Sequence, residues 1–124
     1  MTFRAAVIGC GRIGSTIDDE QANRPQFRYP WAHAPAVIEA QGIELIAGSD
    51  VRPEQLDDFK NRWGVTALYT DYLEMIKQEQ PDLVCVTTKT VERAEVVIRS
   101  AEAGVKAIYA TKPMCRSLAE ADEM

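Results

Sequence analysis

The stretch Val7-Ile8-Gly9-Cys10-Gly11-Arg12-Ile13-Gly14 decides the fold of this chain. It ends the short apolar segment Phe3–Ile8 and spaces three glycines in the pattern G-x-G-x-x-G. This pattern is typical of the point where a buried parallel strand passes into a helix whose N-terminus binds a pyrophosphate. Because glycines are common, the motif needs support from strands and helices that alternate along the remaining sequence.

Length and composition predict one domain. The 124 residues, 46% hydrophobic and 27% charged, suffice for one packed core but not for two ordinary domains. The net charge of −5 and the scattered basic residues argue against a nucleic-acid or anionic-membrane surface. No apolar run approaches the ~20 residues of a membrane span, and the chain opens directly into the first strand without a signal-like segment.

The cysteines and the single histidine show no metal-binding pattern. Cys10, Cys85 and Cys115 cannot all pair with one another, and none has metal-ligand spacing with His33. We therefore expect reduced thiols, no metal and a cytoplasmic location, because intracellular chains rarely use disulfides. We expect His33 to be a helix-face residue.

Apolar patterns along the chain predict five strands that alternate with helices. The helix near Gly11 must be short or interrupted, because residues 18–26 are polar and contain a proline. The other strands are predicted at residues 43–48, 65–69, 82–87 and 106–110. Helices are predicted at residues 31–41 and 53–63, between Asp71 and Pro81, between Thr90 and Gly104, and from Ser117 onward, with Asp71, Thr90 and Ser117 as N-caps.

The alternation of strand and helix predicts an α/β fold. With right-handed crossovers it forms a doubly wound parallel sheet of the Rossmann type, in three αβα layers. Ligands of such sheets bind at the carboxyl ends of the strands, which is where residues 9–14 stand. The aromatic stretch Phe27-Arg28-Tyr29-Pro30-Trp31 is interpreted either as a surface loop that packs its rings on the core, or as a loop over a cofactor or an oligomer contact.

The glycine motif predicts a pyrophosphate site. Gly9 permits the tight turn, Gly11 lets the backbone approach the phosphates, and Gly14 allows the helix to pack closely on the strand. Arg12 either lies beside the phosphates or is solvated at the helix start, and Ile13 completes the predicted loop.

Asp50 is the candidate for the ribose of the adenosine. It follows the second strand directly, although it lies further beyond the motif than the usual ~20 residues, because the polar segment adds length before the first crossover helix. A carboxylate accepts hydrogen bonds from both ribose hydroxyls and repels a 2′-phosphate, which favours NAD. Arg52 leaves NADP possible, since its guanidinium could hold a 2′-phosphate or stack on adenine.

Two further candidates follow the fourth and fifth strands. The loop Thr87-Thr88-Lys89-Thr90 offers hydroxyls along the path of a dinucleotide, with an ordinary polar loop as the alternative. Lys112, in Thr111-Lys112-Pro113, stands at the end of a central strand. Its ammonium could reach a nicotinamide and polarise or protonate a substrate oxygen, so we predict a cofactor-binding and catalytic role.

Taken together, the motif G-C-G-R-I-G, Ser49-Asp50, residues 86–90 and Thr111-Lys112-Pro113 carry a resemblance. Over nearly its whole length the chain resembles the N-terminal domain of the glucose-fructose oxidoreductase and inositol dehydrogenase (Gfo/Idh/MocA) family. The resemblance implies that residues 1–124 bind NAD(P), with Lys112 beside the nicotinamide. It also implies that a second α/β domain, absent from this chain, supplies the substrate pocket and the sheet through which members associate as homo-oligomers.

The implied activity is hydride transfer between the nicotinamide and a hydroxyl or carbonyl carbon of a sugar-like or polyol-like substrate. This chain alone is expected to bind the dinucleotide without turnover. The alternatives are a non-catalytic dinucleotide-binding or sensor module and, more weakly, an S-adenosylmethionine domain. The sequence departs from the family in four places: Thr111 replaces the usual glutamate, Arg93 stands where many members have histidine, Lys89 stands where they often have proline, and residues 18–31 form a longer insertion.

Overall fold

The computed structural model describes residues 1–24, 26 and 30–124. In this part of the chain, five parallel strands form a single sheet. The strands are β1 (Phe3–Ile8), β2 (Ile43–Ser49), β3 (Ala67–Tyr69), β4 (Leu83–Val86) and β5 (Ala107–Ala110). Their order across the sheet is β3-β2-β1-β4-β5, so the chain reverses its winding direction beside β1 and confirms the doubly wound fold.

The helices follow the strands in the predicted alternation. They are α1 (His33–Glu39), α2 (Pro53–Trp63), α3 (Tyr72–Glu79), α4 (Thr90–Glu102) and α5 (Leu118–Glu123). Between β1 and α1, the described residues form a π-helical turn, Arg12–Thr16, and a 3₁₀-helical turn, Ile17–Gln21. The prediction of a short first helix is therefore confirmed.

Two predicted helix caps are confirmed and one is wrong. The side chain of Asp71 accepts a hydrogen bond from the backbone N–H of Leu73, and Ser117 accepts one from Glu120. Thr90, however, is already the first residue of α4, and the N-cap is Lys89, whose side chain makes no capping hydrogen bond. The helix thus begins one residue earlier than a threonine cap requires.

Helix α1 is shorter than predicted because its start is set from outside the helix. Its N-cap, Ala32, has no side chain that could cap it. Instead the carboxylate of Asp18 accepts hydrogen bonds from the backbone N–H groups of Trp31 (2.7 Å) and Ala32 (3.3 Å). Asp18 therefore closes the base of the polar insertion and holds the two residues that lead into the helix.

Alternate residues of the strands face opposite layers. On one side, Ala5 and Val7 pack with α1 and α2 around Phe59, which is fully buried. On the other side, Ala6 and Ile8 pack with α3 and α4 around Met75, also fully buried. The three αβα layers are thus confirmed, and both faces of β1 are covered, as its continuous apolar sequence requires.

Part of the aromatic stretch lies outside the described residues, namely Phe27, Arg28 and Tyr29. Trp31 is 48% exposed. Among the residues that the structure describes, no helix has the length and apolar character needed to cross a membrane.

Candidate functional site

The carboxyl ends of the strands meet along one edge of the sheet. The residue that follows each of three strands donates its backbone N–H to a carbonyl on the neighbouring strand: Gly9 to Ser49 (2.8 Å), Thr87 to Ile8 (2.9 Å) and Thr111 to Val86 (3.1 Å). The parallel register therefore continues past the strand ends, and residues far apart in sequence are held side by side.

A cleft of about 460 Å³ opens at this edge. Its volume lies in the range typical of small-molecule and cofactor sites. Eight of the residues predicted from the sequence line it: Gly9, Gly11, Arg12, Ile13, Asp50, Arg52, Thr87 and Thr88. The described lining does not include the other two predicted residues, Gly14 and Lys112.

The glycine motif is packed so closely that side chains are excluded at two positions. Gly9 has a φ of +99°, and a Cβ there would lie 2.7 Å from Oγ1 of Thr87. The same Oγ1 donates a 2.5 Å hydrogen bond to the Gly9 carbonyl oxygen. At Gly14 a Cβ would overlap that carbonyl oxygen. The motif thus brings the helical turn, the end of β1 and the end of β4 into direct contact.

Asp50 connects this loop to the end of β2. Its side chain is buried, and one carboxylate oxygen accepts a hydrogen bond from the backbone N–H of Cys10 (3.0 Å). The other oxygen accepts one from the backbone N–H of Arg52 (2.9 Å). The Arg52 guanidinium also contacts the carboxylate at 3.2 Å and 3.4 Å, and this hydrogen bonding raises the pKa of Arg52. A buried anion at the strand end is therefore surrounded by donors.

Arg12 is held at the rim of the cleft by an ion pair with the polar insertion. Its guanidinium donates two hydrogen bonds to the carboxylate of Glu20, at 2.5 Å and 2.8 Å. This pairing raises the pKa of Arg12 and lowers that of Glu20. The sequence left open whether Arg12 contacts a phosphate or is solvated. The structure shows another partner, the carboxylate of Glu20.

The two buried thiols are kept in the protonated form. Burial raises the pKa of Cys10 far above its usual range, and the nearby carboxylate of Asp50 adds to the shift. Burial alone raises the pKa of Cys85 to about 11. Neither thiol is therefore suited to act as a nucleophile. Within the described part of the chain, no cluster of histidine, cysteine and carboxylate side chains could hold a metal ion.

The ends of β4 and β5 form a more open part of the edge. Thr111 donates its hydroxyl to the carbonyl of Val86 (3.3 Å). The next residue, Lys112, is exposed, and its peptide bond to Pro113 is cis. The expectation that Lys112 follows a central strand is wrong for the described sheet, because β5 lies at its edge. Because Lys112 stands outside the described lining of the cleft, its nicotinamide and catalytic roles stay predictions.

His33 lies at the start of α1 and is buried. Its ring packs against Tyr109 of β5, with the ring centroids 4.8 Å apart, and burial lowers the pKa of His33. The expected helix-face position is thus what the structure shows.

Sequence reasoning missed a set of cleft residues on the side of β3 and α4. The sequence motifs lie after strands β1, β2, β4 and β5. The order β3-β2-β1-β4-β5 also places the end of β3 at this edge, and no motif marks it. The missed lining residues are Val51, Thr70, Tyr72, Glu92, Glu95, Val96 and Arg99.

The sheet order, the packed glycine loop and the buried Asp50 beside it define a dinucleotide-binding Rossmann domain. The chain belongs to the oxidoreductase family with an NAD-binding Rossmann fold, the Gfo/Idh/MocA family, whose model matches residues 3–124. This confirms the family resemblance of the sequence and the expected dinucleotide cofactor.

Individual relatives agree with this assignment. The chain is 33% identical over 122 residues to the myo-inositol 2-dehydrogenase of Thermotoga maritima, covering 98% of this chain and 31% of that protein. The crystal structure of myo-inositol 2-dehydrogenase from Lactobacillus plantarum superposes with a TM-score of 0.78 at 31% identity, over 99% of this chain and 32% of that chain. A probable dehydrogenase from Thermotoga maritima has a TM-score of 0.76 at 34% identity, over 96% of this chain and 31% of that chain. The chain thus spans about a third of the length of these relatives.

Proposed function

We propose that this chain is the cofactor domain of an NAD-dependent dehydrogenase that acts on a hydroxyl or carbonyl carbon of a polyol-like or sugar-like substrate. The observation that carries the proposal is the cleft in which the glycine loop and the buried carboxylate of Asp50 face the same space. The names of two relatives, both myo-inositol 2-dehydrogenases, support the class of substrate.

The cleft residues fit the parts of the dinucleotide in order. Gly9, Gly11 and Ile13, with Arg12 at the rim, would bind the pyrophosphate, because the missing side chains let phosphate oxygens approach the backbone. Asp50 would accept hydrogen bonds from the ribose hydroxyls of the adenosine. Apolar side chains on the α3 and α4 side, such as Val96, would cover the adenine.

The charges around Asp50 favour NAD over NADP. A 2′-phosphate would have to approach a buried carboxylate, which repels it. The Arg52 guanidinium is already paired with Asp50 through two of its nitrogens, so much of its charge is offset by that carboxylate. The pairing therefore supports selection of NAD, with NADP bound more weakly.

Thr87 and Thr88 would border the nicotinamide half of the cofactor. Bound there, the nicotinamide would exchange a hydride with the substrate carbon. Lys112 would hold or release the proton of the substrate oxygen at its Nζ atom. Such a role needs a substrate pocket, which we propose is supplied by a C-terminal domain in the part of the relatives that this chain does not span, together with any homo-oligomer contact.

Equilibrium titration of the chain with NADH and with NADPH tests the cofactor assignment. We expect NADH to bind at micromolar to low millimolar concentration and more tightly than NADPH. Failure of both to bind at millimolar concentration would reject the proposal. In a protein that also contains the substrate domain, Lys112→Ala should abolish NAD-dependent oxidation of myo-inositol while NADH binding survives.

One observation favours a second candidate, a dinucleotide-binding module without turnover. Lys112 is exposed outside the described lining of the cleft, and Thr111 precedes it in place of a carboxylate. A full-length protein that binds NADH but oxidises neither myo-inositol nor related polyols would support this candidate. Separately, the three free thiols Cys10, Cys85 and Cys115 support a reducing compartment such as the cytoplasm.

A further inference from the structure

Arg93 joins the two loops that follow β4 and β5. It lies in α4 and is only 5% exposed. One nitrogen of its guanidinium donates to the carbonyl oxygen of Thr88, in the loop after β4, and another donates to that of Pro113, in the loop after β5. A single side chain thus bridges these two loops.

Arg93 has no countercharge within the described part of the chain. The salt bridges found there involve other arginines and lysines, and the Nε atom of Arg93 is buried without a hydrogen-bond partner. Burial lowers the pKa of Arg93, as expected for a cation removed from water. A buried guanidinium without a countercharge is costly, and the two carbonyl oxygens of Thr88 and Pro113 are the partners that offset this cost.

The contacts of Arg93 lie on one side of the proposed pyrophosphate position. In the order β3-β2-β1-β4-β5, Asp50 follows β2 on one side of the glycine loop, while Thr88 and Pro113 follow β4 and β5 on the other. If Asp50 takes the adenosine ribose, as the proposed function states, the nicotinamide half extends toward the loops that Arg93 joins.

Resting on that proposed function, we propose that Arg93 is the positioning residue for the nicotinamide end of the site. It holds the loop of Thr88 and the loop of Lys112 and Pro113 at the spacing that the nicotinamide ring requires. It touches neither the adenosine nor the pyrophosphate part of the cofactor. Its removal should therefore affect only ligands that carry the nicotinamide.

The test compares NADH with ADP-ribose, which shares the adenosine, the pyrophosphate and the second ribose but lacks the nicotinamide. Binding of both to the chain is measured by calorimetry for the native protein and for Arg93→Met. We expect the variant to bind NADH roughly tenfold more weakly, about the effect of one lost hydrogen bond to a charged group, and ADP-ribose less than about twofold more weakly.

Arg4→Met is the matched control. Arg4 also donates a guanidinium hydrogen bond to a backbone carbonyl, that of Glu79 (2.9 Å), but at the amino end of the sheet. The Arg4→Met variant should bind NADH and ADP-ribose with unchanged affinity. Thermal unfolding of each variant separates a loss of fold from a loss of binding.

Arg93→Lys covers the case in which Arg93→Met does not fold. The lysine retains the charge and reaches at most one of the two carbonyls, so NADH affinity should fall about threefold, within the range of a weak single contact, and ADP-ribose affinity should stay unchanged. Equal losses for both ligands, or no loss for either, would overturn the positioning role. A native protein that binds neither ligand would instead reject the proposed function itself, and this inference with it.

Discussion

The two halves of the cleft edge are built differently. Around β1 and β2, Cys10, Gly14 and Asp50 are buried, and the backbone N–H of Cys10 donates directly to the Asp50 carboxylate. Around β4 and β5, Lys112 is exposed, and the loops are joined by the long side chain of Arg93. The half around β1 and β2, which would bind the adenosine and the pyrophosphate, is thus prebuilt. In the half around β4 and β5, Thr111 joins the strand ends, whereas the loops beyond them are bridged by the two hydrogen bonds of one side chain.

The largest effect is expected from Gly14→Ala. The new Cβ would overlap the Gly9 carbonyl oxygen and lie 2.9 Å from Oγ1 of Thr87, so the helical turn must move away from the sheet. We expect the free energy of unfolding to fall by roughly 2–3 kcal/mol, with loss of NADH binding. Urea denaturation and NADH titration measure the two effects.

Gly42→Ala is the control for this change. Gly42 has a left-handed conformation, with φ of +77°, which Gly14 in its helical turn does not, and a Cβ at Gly42 meets nothing within 4 Å. It should lose about 1 kcal/mol, from backbone strain alone, and keep its affinity for NADH. If Gly14→Ala were as mild as Gly42→Ala, the prebuilt character of this half would be refuted.

Thiol reactivity contrasts the glycine loop with the segment after β5. Cys10 and Cys85 are buried with raised pKa values, whereas Cys115 is partly exposed just beyond β5. At pH 8 iodoacetamide should modify Cys115 at least ~100-fold faster than the buried thiols, since only the accessible thiolate reacts. Mass spectrometry of digested samples over time gives the rates.

Unfolded protein in concentrated urea provides the reference for this measurement. There the three cysteines should react at similar rates. Rapid modification of Cys10 in the folded chain would show that the glycine loop opens, and would contradict the contrast between the two halves.

Asp50→Asn removes the negative charge at the end of β2 while keeping the shape of the side chain. The amide oxygen can still accept from Cys10, but the anion is lost and Arg52 is released. NADH should bind roughly tenfold more weakly, as expected when a charged acceptor is neutralised, and the preference for NADH over NADPH should shrink. Asp57→Asn, at an exposed position of the same neighbourhood in α2, should change neither value.

Local sequence patterns were sufficient to predict the half of the site around β1 and β2. The glycine spacing, the apolar strand before it and Asp50 at the end of the next strand are each readable from a few neighbouring residues, and their meeting follows from the parallel sheet. Strand β3 is shorter than predicted, because β2 pairs only with Ala67, Leu68 and Tyr69. An apolar pattern does not show where a neighbouring strand stops.

The half around β4 and β5 depends on contacts between distant residues, which leave no pattern in the local sequence. Arg93 meets Pro113 across 20 residues, and nothing in the sequence of an amphipathic helix identifies which arginine turns inward. Arg12 shows the same limit, because an exposed arginine after a glycine motif could meet a phosphate, water or any nearby carboxylate. Only the fold selects Glu20.

The smallest effect concerns His33, where the open half meets α1. Burial against Tyr109 lowers the pKa of His33 in the folded protein below its value of about 6.5 in the unfolded chain. The unfolded state therefore binds more protons between these two pKa values, so the contribution of His33 to stability is present at neutral pH and is lost as the pH falls. His33→Gln should be less stable than the native chain at pH 7.5, but should lose less stability between pH 7.5 and pH 5. Both proteins have the same carboxylates, so the difference between their free energies of unfolding, measured with urea at each pH, reports on the imidazole. If the two proteins lost stability in parallel as the pH falls, the edge at β5 would be open enough to hydrate His33.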